Sequence, residues 1–240
     1  MSEIGTLAGA RHPHILHFYG YQSIGTDMML VFPWSENGSL DVYIRKHKKL
    51  RSVEKLKLLC DAARGLEFLH SRRPPIVHGN LKPGNVFITN ELRAALRFFG
   101  TLDFLTYALE DYESGLPWFA STPPKAQGYS LGLDLTSTSD VYGFGGIILA
   151  IMSGKQPFHQ ISRLDAQAAI LSSRVPQPAD HLGLDRKDPL WNFLRKCWSV
   201  RPTDRPSARE VVTTVCRPCM LAPLQKAHVS PQWNSSRTRS

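Results

Sequence analysis

Ile76-Val-His-Gly-Asn-Leu-Lys-Pro-Gly-Asn-Val-Phe-Ile88 sets two short β-type runs, Ile76–His78 and Val86–Thr89, on either side of a polar loop. The loop carries His78, Asn80, Lys82 and Asn85. Upstream, Val53, Leu56, Leu59, Ala63, Leu66 and Leu69 recur at three- and four-residue steps, which predicts an amphipathic helix from Ser52 to His70. Pro74-Pro75 ends it. Downstream, Val141-Tyr-Gly-Phe-Gly-Gly-Ile-Ile-Leu-Ala-Ile-Met-Ser-Gly154 is apolar on all sides but short of the roughly 18 residues that cross a bilayer. A helix of that kind, starting near Asp140, belongs in the middle of a large core.

Around these segments the pattern is mixed. Residues 2–10 are helix-compatible until His12-Pro13 breaks them. The runs Ile15–Tyr21 and Met28–Phe32, joined by Gly25-Thr-Asp27, read as a hairpin. Ser39 is the expected N-cap of a helix over Leu40–Lys48. Ala95–Phe99 is a further β run, and helices are expected near 163–173, 188–198 and 207–216. A few strands followed mostly by helices predict an α+β fold in two unequal layers.

The 240 residues are 42% hydrophobic and 10% aromatic, which excludes wholesale disorder, collagen-like repetition and a membrane bundle. Four cysteines are no disulfide scaffold, and the start at Met1 lacks the regions of a signal peptide. An intracellular, cytoplasmic protein without membrane insertion is expected, with the nucleus as the alternative location. Of the net charge of +9, four come from Arg217, Lys226, Arg237 and Arg239, in a stretch (217–240) without Asp or Glu that reads as a flexible basic tail. The cluster Arg45-Lys-His-Lys-Lys-Leu-Arg51 reads as a solvated helix end. No nucleic-acid motif accompanies it, so nucleic acid is not an expected partner. Cys216-Arg-Pro-Cys219 lacks the second ligand pair that structural zinc needs, and His12, His14 and His17 lack a completing carboxylate or thiol.

The loop resembles the catalytic loop of the protein kinase family, whose pattern runs His-Arg-Asp, then Lys, then Asn. His78, Gly79 and Asn80 fill the first three places, with Lys82 and Asn85 at the family's spacings. Thr138-Ser-Asp-Val-Tyr-Gly-Phe-Gly145 is similar to the start of the family's buried F helix. Cys197-Trp-Ser-Val-Arg-Pro-Thr-Asp-Arg-Pro206 is similar to the closing stretch of the tyrosine-kinase-like group. Glu3 stands at the C-helix glutamate, and Leu30-Val-Phe-Pro-Trp-Ser-Glu-Asn-Gly-Ser-Leu40 resembles the fifth strand, hinge and D-helix start. The resemblance implies a kinase-like domain over residues 1–216. Its small lobe (about 1–34) would be reduced to the C helix and a two-stranded hairpin. Its large lobe (about 35–216) would be mostly helical. Phe32, Trp34 and Phe87 would border an adenine pocket, with Phe32 as gatekeeper. Leu7, Phe18, His78 and Phe99 would form the regulatory spine, and Asp140 would hold the catalytic-loop backbone.

The chemical positions depart from the family. Asn80 stands where the family has the aspartate that takes the substrate hydroxyl proton, and an amide cannot serve as a base; losing such help costs roughly 10²–10⁴-fold. Phe98-Phe99-Gly100 stands for the magnesium-binding Asp-Phe-Gly, and Phe98 offers a hard cation no oxygen. A rival alignment on Asp103-Phe104 puts Leu105 where glycine belongs. The resemblance begins at the C helix, without a glycine-rich loop or a lysine to pair with Glu3. Ala120-Ser-Thr122 replaces Ala-Pro-Glu, leaving Arg205 without the family's glutamate partner. No ATP or magnesium is therefore expected, and the reading is a pseudokinase that binds other proteins, a kinase or signalling partner among them. The alternatives are a divergent active Ser/Thr or Tyr kinase using ATP and magnesium, or a non-functional fragment. An open β edge at Leu30–Phe32 is also expected.

Overall fold

The computed structural model describes residues 9–24, 27–97 and 136–221. β1 (Gly20–Ile24) and β2 (Asp27–Val31) pair antiparallel, with Gly20 opposite Val31 and Ile24 opposite Asp27. The first strand starts later than the apolar run from Ile15 predicts. Ile15 instead bridges to Leu96: the Leu96 N–H donates to His14 O at 2.9 Å and the Leu16 N–H to Leu96 O at 2.8 Å. Ile15, Leu16 and Phe18 are buried there, so their apolar character serves the large core rather than the hairpin. Among the described residues the hairpin sheet has only its two strands, and Tyr21, Met29 and Val31 are exposed on it.

α1 (Leu40–Lys46) starts at Ser39, whose hydroxyl donates to Asp41 Oδ1 at 2.6 Å and makes no cap bond to the backbone. α2 (Ser52–His70) follows the predicted bounds and buries Leu58, Leu59, Ala62, Ala63, Leu66 and Leu69. Each of these leucines contributes about 1.5–3 kcal/mol on burial. Gly65 lies against the His14 carbonyl, where any side chain would collide with backbone. The polar loop follows, with a 3₁₀ turn at Pro83–Asn85 leading into β3 (Val86–Ile88), which pairs antiparallel with β4 (Ala94–Leu96). Ile76–His78 forms no strand; its backbone is held by a carboxylate, as described below.

α3 (Ser137–Ser153) is the predicted central helix. It begins three residues before Asp140 because Thr136 and Ser139 cap it reciprocally: Thr136 Oγ1 accepts from the Ser139 N–H at 3.2 Å, and Ser139 Oγ from the Thr136 N–H at 3.0 Å. Gly154, at φ 75°, takes the left-handed turn that closes it. Phe144, Ile147, Ile148 and Leu149 are fully buried along its length. A side chain at Gly145 would come within 2.8 Å of Cys197 and Trp198, so α5 docks there against bare helix backbone. α4 (Arg163–Leu171), α5 (Leu190–Cys197) and α6 (Ala208–Leu221) complete the described helices.

α6 packs chiefly on α2 and continues through Pro218, past the end predicted at 216. This places Arg217 on the helix, at the start of the predicted tail. Cys216 is disulfide-bonded to Cys60 of α2, 156 residues away in sequence, rather than forming a zinc site with Cys219. No metal-holding group of His, Cys, Asp and Glu occurs among the described residues. No described helix is long and apolar enough to cross a membrane. His14 and Asp61, both buried, join the two halves of this layer: Asp61 receives Arg93 Nε and Nη2 at 2.7 Å each, and His14 Nδ1 contacts Ala94 O at 3.0 Å.

Candidate functional site

The loop 78–85 is positioned from below by Asp140, which α3 carries in its first turn and which is fully buried. Its carboxylate accepts the His78 N–H at 2.8 Å and the Gly79 N–H at 2.9 Å, and pairs with His70 Nε2 at 2.8 Å. Gly79 has φ 77°, a left-handed conformation that a side chain at this turn would strain. The His78 ring is almost wholly buried, and burial pushes its imidazole down to about 4, with Asp140 opposing the shift. It is therefore neutral at physiological pH. Its Nδ1 lies 3.3 Å from the Asn80 N–H, which donates to it.

Asn85 closes the other side of the loop. Its Nδ2 donates to Asn80 O at 2.8 Å, fixing the loop end to end. Its Oδ1 accepts from Arg97 Nη2 at 2.8 Å, while Asn85 O accepts the Arg97 N–H, also at 2.8 Å. The Arg97 guanidinium in turn covers Phe87, 4.9 Å from the ring centroid. Both ends of the Asn85 carboxamide are thus engaged by protein, and a permanent cation sits on its oxygen. A divalent ion there would meet a guanidinium at hydrogen-bond range, so the described residues around Asn85 do not fit magnesium.

Of the residues expected at the site, His78, Asn80, Lys82, Asn85 and Phe87 come together on this loop and β3, with Asn80 and Lys82 half-buried. Phe32 packs on Phe18 with ring centroids 5.6 Å apart. Trp34 is 87% exposed and borders solvent rather than an enclosed pocket. Glu3, Leu7, Phe98, Phe99, Asp103 and Ala120-Ser-Thr122 lie outside the described residues. Arg97 is the residue that motif reading missed. A cation inside the β run Ala95–Phe99, directly before the changed Phe-Phe-Gly, was the available signal.

A family model described as protein tyrosine and serine/threonine kinase matches residues 1–215. Similar proteins include the leucine-rich repeat receptor protein kinase EMS1 of Arabidopsis thaliana, 34% identical over 65% of this chain and 13% of its own length. The LRR receptor-like serine/threonine-protein kinase GSO1 of the same plant is 33% identical over 87% of this chain and 19% of its own. The dual specificity protein kinase shkC of Dictyostelium discoideum is 25% identical over 98% of this chain and 46% of its own. The chain spans less than half the length of these curated relatives.

Proposed function

The chain belongs to the protein tyrosine and serine/threonine kinase family, and from that premise we propose that it is a pseudokinase: a kinase-like module that transfers no phosphate and works by binding other proteins. The observation that carries this reading is the Asn85 carboxamide, engaged by Arg97 on one side and Asn80 O on the other. The magnesium-coordinating place is thereby filled with a protein cation. Asn80 adds to it, because a neutral amide has no basic site for the substrate hydroxyl's proton. Phosphoryl transfer depends on positioned charge almost alone, so losing the base and the metal anchor together removes the substance of the catalyst. The partner class is protein, because the retained features are packing features: a central helix, a tied loop and the buried core of the described large-lobe residues.

The test is nucleotide binding by the purified chain, read as thermal shift with ATP, with and without magnesium, alongside radiolabelled phosphotransfer. No magnesium-dependent shift and no transfer are expected. Turnover that Asn80→Ala abolishes would refute the reading. It would establish instead a divergent active kinase, the alternative favoured by relatives that are themselves named kinases.

A further inference from the structure

α6 carries Ala208, Val211 and Val215 as a buried series at three- and four-residue steps, and Cys216, 1% exposed, adjoins the same face. Across from it, Cys60 lies in the middle of α2 and is 6% exposed. The two are disulfide-bonded with their Cα atoms 5.0 Å apart. Cys219 takes the next place in the series, four residues after Val215 and three after Cys216. Helical geometry sets Cα atoms three residues apart at about 5 Å, inside the roughly 4.4–6.8 Å that a disulfide spans. Cys216 therefore has two cysteines at bridging distance, one across on α2 and one a turn further along its own helix.

The intervening residues make that turn easy to open. Pro218 lies inside the helix and has no N–H to give the Thr214 carbonyl. The last four carbonyls of a helix have no partner within it, so such an end frays. Arg217 and Pro218 are exposed, and the opening turn would face water. Fraying supplies the backbone movement that a bridge between residues on one helix requires. Cys197, by contrast, is fully buried in α5 against Gly145 of α3, and burial pushes its thiol up, which keeps it protonated.

We propose that the Cys60–Cys216 bond is an exchangeable tie between α2 and α6, opened from within by Cys219. The Cys219 thiolate attacks Cys216 Sγ. The Cys216–Cys219 bond forms as the Cys60–Cys216 bond breaks, and the electron pair leaves on Cys60 Sγ, which takes up the proton that Cys219 gave up. The pairing with Cys60 is the resting form until a small thiol such as glutathione draws the exchange forward. Two equivalents reduce the Cys216–Cys219 bond, leaving three protein thiols and one glutathione disulfide. α6 then stays on α2 by packing alone, and the tie answers to the thiol content of its surroundings. The C-x-x-C thus serves as a release for the cross-link.

The test follows release of the Cys60 thiol from the full chain, purified without reductant, as glutathione is added. Samples are quenched in acid, alkylated and mapped by peptide mass. With glutathione at about 0.1 mM, a thiol tethered at an effective concentration of about 1 mM or more should make release about tenfold faster in the wild type than in Cys219→Ser. The wild-type rate should level off as glutathione rises, where the internal step becomes limiting, while the variant's rate keeps rising with it. Equal rates in the two proteins would overturn the proposal. Should Cys219→Ser fail to fold, the wild-type maps decide. A species with Cys216 joined to Cys219 and Cys60 free supports the exchange, and its absence at every time point rejects it.

Discussion

The two ends of the loop 78–85 are held with equal care by opposite means. At the lower end a buried carboxylate, Asp140, accepts two backbone N–H groups and pairs with His70. At the upper end a guanidinium, Arg97, fixes the Asn85 carboxamide and covers Phe87. The lower end keeps the residue type and contacts that the family resemblance implies. At the upper end the cation comes from the protein itself. A loop can keep its shape with either arrangement, because both satisfy its polar atoms; at the upper end the Asn85 oxygen is taken by Arg97. The comparison separates what a fold requires from what a reaction requires.

The largest effect expected of a single substitution breaks the lower end. Asp140→Ala strands the His78 and Gly79 N–H groups and removes the partner of His70, and should cost about 3–5 kcal/mol in urea unfolding. A change below 1 kcal/mol would show that the loop does not depend on this anchor.

Acid should act more gradually, at His78 in the loop and at His181 beside Ser153. His78 and His181 are buried with imidazoles pushed down to about 4 by burial, below the roughly 6.5 of an unfolded histidine. The unfolded chain therefore binds protons first. Their contribution is fully present above pH 6.5 and is lost as pH falls toward 4, by about 1.4 kcal/mol per unit for each group. Urea midpoints that stay constant from pH 6.5 to 4.5 would contradict this.

The upper end should give least. Arg97→Ala removes one charge-assisted bond at a half-buried position, and a loss of about 1–2 kcal/mol is expected. If the same variant gained a magnesium-dependent nucleotide shift, Arg97 itself would be the barrier to the ion. If it did not, the rest of the cleft is also unsuited.

Much of this architecture could be read along the chain. The periodicity of Val53–Leu69 marks α2 within its observed bounds, and the all-apolar run after Asp140 marks the central helix, since a strong pattern there has no competing use. The loop was legible from the spacing of His78, Asn80, Lys82 and Asn85. Pairings between distant segments were not. The run from Ile15 looks like part of the hairpin until Leu96 is beside it. Thr136 extends α3 through a capping bond that apolar patterning does not register. Arg97 belongs to no motif, and its importance depends on Asn85 lying 2.8 Å away. Cys216 sits in a C-x-x-C, so local spacing points to Cys219, whereas tertiary packing brings it to Cys60.

That cross-link has a practical outcome for handling the molecule. A protease cut anywhere between Cys60 and Cys216 would leave two polypeptides travelling as one particle, separating only when a thiol is added. A clipped preparation would pass for whole on a non-reducing gel.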